Sequence, residues 1–351
     1  MARKKSFLVK FLWSLIGVLI LSGIITASVL YNRIYHPNVS LNTDKETFIN
    51  IPTGARFETV LQLLSDQGII DNPSSFIWIS ERKRYNDLTI KSGRYLLKDD
   101  MSNNDLVNLL RSGRQTPINV VFNNLRTKEE FAGKIAQQLE LDSTELIQAM
   151  LDSVFLSEHQ LTPFTVSSLF IPNTYEFYWN TPVESFLSRM VAEHHHFWND
   201  QRKAKASALG LSMAEVTTLA SVVEKESYRK EEQATIAGLY LNRLKKNMRL
   251  QSDPTVIFAL GDFTIRRVLK KDLKYDSPYN TYKVNGLPIG PISMPSIQAI
   301  DAVLNAEKHN YLYMCAKADF SGFHSFAVQA SEHYANAAKY RKALNERNIK
   351  R

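Results

Sequence analysis

The stretch Thr217-Thr218-Leu219-Ala220-Ser221-Val222-Val223-Glu224-Lys225-Glu226-Ser227 decides how the second half of this chain folds. Ser212 followed by Glu215 fits a capping box, which predicts that a helix begins there. Four apolar residues then recur at spacings of three and four, namely Val216, Leu219, Ala220 and Val223. This spacing places them in one stripe. The sequence therefore predicts a helix that packs into a core and carries a glutamate beside its buried stripe.

Glu224 directly follows the apolar stripe, at the border with the polar face of the helix. Glu226 lies roughly 200° further round the helix and is expected to be solvated. A carboxyl group beside apolar packing is disfavoured as an anion, so we expect the pKa of Glu224 to be raised. A general acid that protonates a glycosidic oxygen needs this property. The alternative is an ordinary boundary glutamate paired with a lysine.

The composition is that of a folded protein with more than one domain. The chain has 351 residues, of which 44% are hydrophobic and 22% charged, so we expect two domains plus an anchor. Cys315 is the only cysteine, which excludes an intrachain disulfide. The net charge of +8 fits nucleic acid, a membrane surface or an anionic polymer of the cell envelope. Because no nucleic-acid module is recognisable, we expect no nucleic-acid partner.

An uncharged, apolar run from Phe11 to Tyr31 predicts a transmembrane helix over residues 11–31. A cleaved signal peptide would have a shorter apolar region and a better cleavage site. Basic residues precede the run, whereas Arg33 alone follows it closely. The positive-inside rule then places residues 1–10 in the cytoplasm and the rest outside. We therefore predict a single-pass protein of the cell (inner) membrane, with an extracytoplasmic catalytic domain facing the wall.

The soluble part divides into two predicted domains. After a polar linker at His36–Asp44, residues 45–115 show an alternation of short strand and helix patterns that ends at Gly113. Nothing in this small α/β unit suggests catalysis, so a binding or positioning role is expected. Residues 116–351 form the second domain, with mixed helices and strands. The predicted fold class is α+β.

An aromatic patch from Leu169 to Trp179 offers candidates for sugar binding. Exposed aromatic rings stack on sugar faces, and we single out Tyr175 and Trp179 for that role. Core packing is the alternative. His194-His195-His196 point in three directions on a helix, so they cannot converge on one metal ion. No metal-binding or nucleotide-binding motif occurs in the sequence, and we predict neither a metal nor a cofactor.

The later loops supply further candidates. Asp253-Pro254 can cap the helix that follows it, with proline at the first helical position. The long connection over residues 277–291 is rich in polar and turn residues, which is typical of a functional loop. His324 is expected either to contact substrate or to make a structural hydrogen bond.

Several motifs in this order resemble those of the YceG-like family, the endolytic murein transglycosylases. They are Ala220-Ser221-Val222-Val223-Glu224-Lys225-Glu226, Leu241-Asn242-Arg243-Leu244, Met248 to Val256, Tyr279-Asn280-Thr281-Tyr282 and Gly286-Leu287-Pro288. The resemblance covers almost the whole chain. It implies a LysM-like module at 45–115 and a YceG-like catalytic domain at 116–351. It also implies cleavage within nascent glycan strands, with Glu224 as the catalytic residue.

Two departures from the family pattern concern substrate contacts. The usual Pro-Asp-Thr-Tyr reads Pro172-Asn173-Thr174-Tyr175 here, so a role of that carboxylate is absent or passes to Glu176. Ile289-Gly290-Pro291 stands where a second proline is common. Neither change affects the predicted acid.

A lytic transglycosylase needs one carboxylate, whereas hydrolytic glycosidases generally need two. Glu224 would protonate the oxygen between N-acetylmuramic acid and N-acetylglucosamine, then deprotonate the muramic acid C6 hydroxyl and leave a 1,6-anhydro end. The candidates for holding the sugar are Asn242, Gln251, Asp253, Tyr279, Asn280, Tyr175 and His324. Expected partners are peptidoglycan strands, the membrane, and wall-synthesis or division proteins. A hydrolytic muramidase and a non-catalytic, membrane-tethered scaffold remain as alternatives.

Overall fold

The computed structural model describes residues 2–41 and 46–347. Parts of four predicted segments lie outside the described residues: the first residue of the cytoplasmic segment, the end of the linker, the start of the module at residue 45, and the last four residues of the chain. The fold is mixed α+β, as predicted. The helices are α1 (Ala2–Tyr35), α2 (Phe57–Asp66), α3 (Pro73–Arg82), α4 (Asn103–Ser112), α5 (Lys128–Ala136), α6 (Ser143–Met150), α7 (Ser153–Glu158), α8 (Val183–Phe197), α9 (Asp200–Leu209), α10 (Met213–Glu226), α11 (Gln233–Lys245), α12 (Asp253–Leu260), α13 (Ile297–Leu304) and α14 (Ala330–Glu346). The strands are β1 (Thr47–Ile51), β2 (Gly93–Leu97), β3 (Ile118–Phe122), β4 (Asn173–Phe177), β5 (Tyr313–Ala316) and β6 (His324–Ala327).

Helix α1 contains the predicted membrane segment. Within it, Val9–Tyr35 is long and apolar enough to cross a membrane, and none of its most apolar window is buried against the protein. Its 27 residues would extend about 40 Å at the rise of an α-helix, so the span predicted at 11–31 falls inside it. An apolar helix without protein packing fits a hydrocarbon environment better than water.

The chain separates into two compact units, of which the first contains residues 1–118 and 176–180. In it, β1 and β2 form an antiparallel pair with Thr47 opposite Leu97. The order strand, two helices, strand, helix is the one predicted for residues 45–115. Ser102 caps α4 as expected, because it forms a capping box with Asp105. The likeness of this unit to a LysM module stays a prediction.

The second unit contains residues 119–175 and 181–351 and is organised around α10. The predicted capping box between Ser212 and Glu215 is present at its start. All eight residues from Val216 to Val223 are buried, because α9, α11, α12 and α13 pack around the helix. The helix is therefore enclosed on every side over this stretch, and not along one stripe.

Polar residues of α10 tolerate this burial because the helix backbone satisfies their hydroxyl groups. Thr217 donates to Met213 O at 3.0 Å and Thr218 to Ala214 O at 2.8 Å. Ser221 donates to the carbonyl of Thr218 and accepts the main-chain N–H of Ile292 at 3.0 Å. Satisfied hydroxyl groups avoid the cost of buried, unpaired polar atoms. The face of α10 that looks polar in the sequence is therefore available for packing.

The remaining strands form two further pairs, β3 with β4 and β5 with β6. Strands β5 and β6 are antiparallel, with Ala316 opposite His324, and α14 packs on this hairpin. Strands were predicted at residues 311–314 and around 324–326, close to the observed positions. The hairpin places His324 at the beginning of β6, beside the site described next.

Candidate active site

Two carboxyl groups near the end of α10 line different pockets. Glu224 lies two residues before the end of the helix, and Glu226 is its final residue. The two side chains leave the helix on opposite sides, as their spacing requires. The expectation that Glu226 is solvated is wrong, because its side chain faces α11 and the segment before α12.

The carboxyl group of Glu226 is held in a desolvated position. The Tyr240 hydroxyl donates a hydrogen bond of 2.8 Å to its Oε1, and the Ser252 hydroxyl donates to the same oxygen. Burial raises the pKa of Glu226, an effect that these two hydrogen bonds reduce and the negative charge of Asp253 increases. The residue as a whole is half-buried. Glu226 thus has the property that the sequence analysis required of a general acid.

Glu226 lines a pocket of about 220 Å³ with a mostly polar wall. Three residues predicted to bind substrate share this pocket, namely Gln251, Asp253 and His324. Arg243, Tyr282 and Cys315 also line it. The structure therefore groups part of the predicted sugar-binding set around Glu226.

The segment between α11 and α12 positions Gln251 and Asp253. Gln251 has a φ of 51°, in the left-handed region, and its N–H donates to Thr281 O at 3.1 Å. Asp253 accepts a hydrogen bond of 2.6 Å from the Tyr282 hydroxyl. The prediction that Asp253 caps α12 is wrong by one residue, since Ser252 occupies the N-cap position and Asp253 is the first residue of the helix. Both side chains are exposed, so they can reach a ligand.

Arg243 lines the pocket and lies in the Leu241-Asn242-Arg243-Leu244 motif, but it was not among the predicted site residues. The residue is 8% exposed, and its guanidinium donates to Leu312 O at 2.6 Å and Leu250 O at 2.7 Å. These bonds tie α11 to β5 and to the segment before α12. Its buried positive charge lies in the wall of the Glu226 pocket. The signal in the sequence was an arginine on the otherwise apolar face of a helix.

His324 reaches the same pocket from β6, and a buried carboxylate holds it. Its ring Nδ1 lies 2.7 Å from Glu232 Oε1, and its main-chain N–H donates to Glu232 Oε2 at 3.0 Å. The Ser227 hydroxyl donates to Glu232 Oε1 at 2.6 Å. The structural hydrogen bond considered for His324 is therefore present, and the residue also lines the pocket. Glu232 was not among the predicted site residues.

Glu224 belongs to a second pocket of about 230 Å³. Its Oε1 accepts the main-chain N–H of Ser296 at 3.1 Å, at the start of α13. Lys225 and Lys230 line this pocket, and burial lowers the pKa of Lys225. None of the residues predicted to bind sugar lines it. Glu224 is half-buried, so a ligand in this pocket can reach it.

Four of the residues predicted to contact sugar instead pack in the core or form hydrogen bonds to main-chain carbonyls. Tyr175 is 6% exposed and donates to Ile171 O at 2.6 Å, so its ring is in the core and not free to stack on a sugar. Asn280 is fully buried, and its side-chain amide donates to Leu273 O and Tyr275 O. Asn242 donates to His309 O at 2.7 Å. The ring of Tyr279 lies 4.7 Å from that of Phe258 and packs on the core of the second unit.

The aromatic and histidine runs have the following positions. Trp179 is half-buried, and Asn173 and Glu176 are exposed. His194 is buried and its pKa is lowered to about 4, mainly by burial, whereas His195 and His196 are exposed. The three rings therefore do not converge. Across residues 2–41 and 46–347, no group of three or more His, Cys, Asp or Glu side chains is arranged to hold a metal ion.

The chain is similar over most of its length to proteins of one family. The profile of the YceG-like family matches residues 49–339, which include every residue that lines either pocket. This chain is therefore a member of the YceG-like family.

Similar proteins include an endolytic murein transglycosylase of Bacillus subtilis. It is 28% identical over 342 residues, which are 92% of this chain and 93% of the relative. An endolytic murein transglycosylase of Streptococcus pneumoniae is 29% identical, and the match covers 86% of this chain but 60% of the longer relative. The crystal structure of a YceG-like protein from Listeria monocytogenes matches 84% of this chain and 99% of its own, with 28% identity and a TM-score of 0.54.

Proposed function

We propose that this protein is a membrane-anchored endolytic transglycosylase of peptidoglycan, which cleaves glycan strands internally. The observation that carries the proposal is the desolvated carboxyl group of Glu226 in a polar pocket, with its pKa raised by burial. A carboxyl group that keeps its proton near neutral pH can act as a general acid. The relatives named as endolytic murein transglycosylases support the choice of substrate.

The proposed reaction uses one carboxyl group twice. Glu226 protonates the oxygen that joins N-acetylmuramic acid to N-acetylglucosamine, and the bond to C1 of the muramic acid breaks. The resulting carboxylate then takes the proton of the C6 hydroxyl, whose oxygen bonds to C1. The product is a 1,6-anhydro end, and no water is consumed. The Tyr240 and Ser252 hydroxyls stabilise the carboxylate between the two steps, because both donate to Oε1.

The second carboxylate oxygen is available for the proton transfer. Both hydrogen bonds of the Glu226 carboxyl group fall on Oε1, and Oε2 has no hydrogen-bond partner in the described part of the chain. The exposed side chains of Gln251 and Asp253 line the same pocket, which supports a role for them in holding the sugar.

Glu224, predicted from the sequence as the acid, stays a candidate for that role. It lines its own pocket, and it interacts electrostatically with its neighbour Lys225. The geometry favours Glu226 because the predicted sugar contacts that reach a pocket gather around it. The two residues form a matched pair for mutation, since they share one helix end and one side-chain type.

Hydrolysis is the second candidate reaction, and one observation favours it. Asp253 lines the same pocket as Glu226, and a pair of carboxyl groups could activate water as in hydrolytic glycosidases. The two reactions differ in their products. A lytic transglycosylase leaves an anhydro end, whereas a muramidase leaves a reducing end that is heavier by one water. A non-catalytic scaffold would give neither product.

The deciding experiment digests purified peptidoglycan with the full-length wild type, Glu226→Gln and Glu224→Gln, and identifies the products by mass. We expect anhydro products from the wild type and from Glu224→Gln. We expect Glu226→Gln to fold and to lose roughly 10²–10⁴-fold in rate, because glutamine keeps the shape but cannot transfer a proton. The reverse pattern would return the role to Glu224. Reducing ends would identify a muramidase, and no release by the wild type would indicate a scaffold.

We propose that α1 anchors the enzyme in the cell membrane with its N-terminus in the cytoplasm. Its apolar span and the basic residues before it support this orientation. The catalytic unit then lies outside, where glycan strands are available. Wall-synthesis and division proteins are proposed partners at this location. No nucleic acid, metal or cofactor enters the proposed reaction.

A further inference from the structure

Glu232 is a buried carboxylate that the proposed reaction does not use. It is 5% exposed and accepts three hydrogen bonds. Its Oε1 accepts from the Ser227 hydroxyl and faces the His324 ring, and its Oε2 accepts the His324 main-chain N–H. Within residues 46–347 no lysine or arginine forms an ion pair with it. These three contacts therefore compensate for the burial of its charge.

The contacts of Glu232 connect the end of α10 with one wall of the Glu226 pocket. Ser227 directly follows Glu226 and is the C-cap residue of α10. His324 is the first residue of β6 and lines the pocket. Gln233 supports the same arrangement, because its side-chain amide donates to Ser227 O at 3.2 Å. Glu232 thus sets the position of the His324 ring relative to the end of α10.

Glu232 also determines which ring nitrogen of His324 carries the hydrogen. Carboxylate oxygens accept hydrogen bonds, so the contact of 2.7 Å favours the tautomer in which Nδ1 is the donor. In the neutral ring, Nε2 then carries a free lone pair. This atom has no hydrogen-bond partner among the described residues. The ring therefore offers an acceptor to a ligand in the pocket.

We infer that Glu232 is a positioning residue, which holds His324 with Nε2 ready to accept a hydrogen bond from an O–H or N–H of the bound glycan. The inference rests on the proposed function for its ligand. Amino sugars supply both kinds of donor, in their hydroxyl and acetamido groups. A glutamine at position 232 could donate its amide hydrogen to Nδ1. That contact would favour the other tautomer, which presents Nε2–H to the sugar.

The test uses full-length wild type, Glu232→Gln, His324→Gln and the double variant, with Glu231→Gln as the control. Glu231 is the exposed neighbour of Glu232, and its replacement makes the same change in charge. Nitrogen-15 NMR of labelled histidine rings reads the tautomer directly, and His324→Gln identifies the resonance. We expect Nδ1–H in the wild type and Nε2–H in Glu232→Gln. Titration with a tetrasaccharide of N-acetylglucosamine and N-acetylmuramic acid should shift the Nε2 resonance.

The kinetic measurement separates positioning from a purely structural role. We expect Glu232→Gln to lower kcat/KM about tenfold, the size of one lost hydrogen bond, and Glu231→Gln to leave it unchanged. If Glu232 acts through His324, the double variant should be no slower than His324→Gln alone. Additive losses, or Nε2–H in the wild type, would overturn the inference.

The proposed function and this inference fail in different ways. A wild type that does not cleave glycan, but whose Nε2 resonance shifts with the tetrasaccharide, would contradict the function and support the inference. A wild type that cleaves glycan without any such shift would support the function and contradict the inference. If Glu232→Gln does not fold, the wild type still tests the inference, through the tautomer of the His324 ring and the shift of its Nε2 resonance.

Discussion

The protonation of Glu226 is the main question at the level of single residues. Burial raises the pKa of this carboxyl group, and the hydroxyls of Ser252 and Tyr240 partly oppose the effect. The proton is therefore retained to a higher pH than an ordinary glutamate would allow. The rate of a general acid falls as pH rises through its pKa, so under the proposed mechanism these neighbours set the alkaline limit of activity.

Tyr240→Phe is expected to move that limit to higher pH. The change removes a hydrogen bond that lowers the pKa of Glu226, while the ring still fills its buried place. The measurement is the dependence of kcat/KM on pH. Tyr228→Phe is the matched control, because Tyr228 is 87% exposed. An alkaline limb that stays in place, or moves to lower pH, would contradict the role of Glu226 as the acid.

The same carboxyl group should affect stability in a direction that can be calculated. Its pKa is raised in the folded state, so its contribution is fully present below the pKa of the unfolded chain. That contribution is lost as pH rises through the folded pKa. Glu226→Gln cannot ionise and should lose this decline. Thermal unfolding between about pH 4 and pH 8 should show a smaller fall of Tm in the variant than in the wild type. Equal slopes would show that the carboxyl group has the same pKa in the folded and the unfolded chain.

At the level of elements, α10 illustrates what the sequence could predict. The capping box and the apolar spacing identified the helix and its start. They could not predict the burial of Glu226, because periodicity assumes one solvated face. Here Thr217, Thr218 and Ser221 are buried with their hydroxyls satisfied by the helix itself. A helix enclosed on all sides gives no polar face from which to judge the exposure of a charged residue.

Tertiary context also explains why two residues predicted to bind sugar have structural roles instead. Asn242 and Asn280 are polar residues in motifs, which is also typical of sugar-binding residues. Their amides instead hold loops by donating to main-chain carbonyls. A sequence alone does not distinguish an amide that binds a loop from one that binds a ligand. Glu232 was missed for a similar reason, since its partner His324 is 92 residues away.

The close contact between α11 and the segment after α13 gives a prediction for one glycine. A Cβ atom at Gly238 would lie 2.3 Å from Glu307 O. Gly238→Ala should therefore lower the free energy of unfolding by about 1–3 kcal/mol, as overpacking does, despite the better helix propensity of alanine.

Gly133→Ala is the control for that change. Gly133 lies within α5, and nothing is within 4 Å of its added Cβ. Alanine there should raise the free energy of unfolding by about 0.4–1 kcal/mol. Denaturant unfolding measures both variants. Equal effects at the two positions would mean that the contact at Gly238 is not tight in solution.

At the level of the whole molecule, the proposed topology depends on α1 and the charges before it. A C-terminal alkaline phosphatase fusion should be active and a β-galactosidase fusion inactive, because the C-terminus is expected outside. Replacing Arg3, Lys4, Lys5 and Lys10 with glutamine should reduce this difference, since the positive-inside signal is removed. A galactosidase-active fusion of the unchanged chain would place the catalytic unit in the cytoplasm and exclude access to the wall.

Cys315 offers a direct way to observe this enzyme at work. It is the only cysteine of the chain, and it lies in the wall of the Glu226 pocket. A fluorescent maleimide would therefore attach at one defined point, without any engineering of other thiols. Burial raises the pKa of the thiol, so labelling should be slow at neutral pH and faster in mildly alkaline buffer. The attached dye would report the arrival of a sugar chain as a change in its emission.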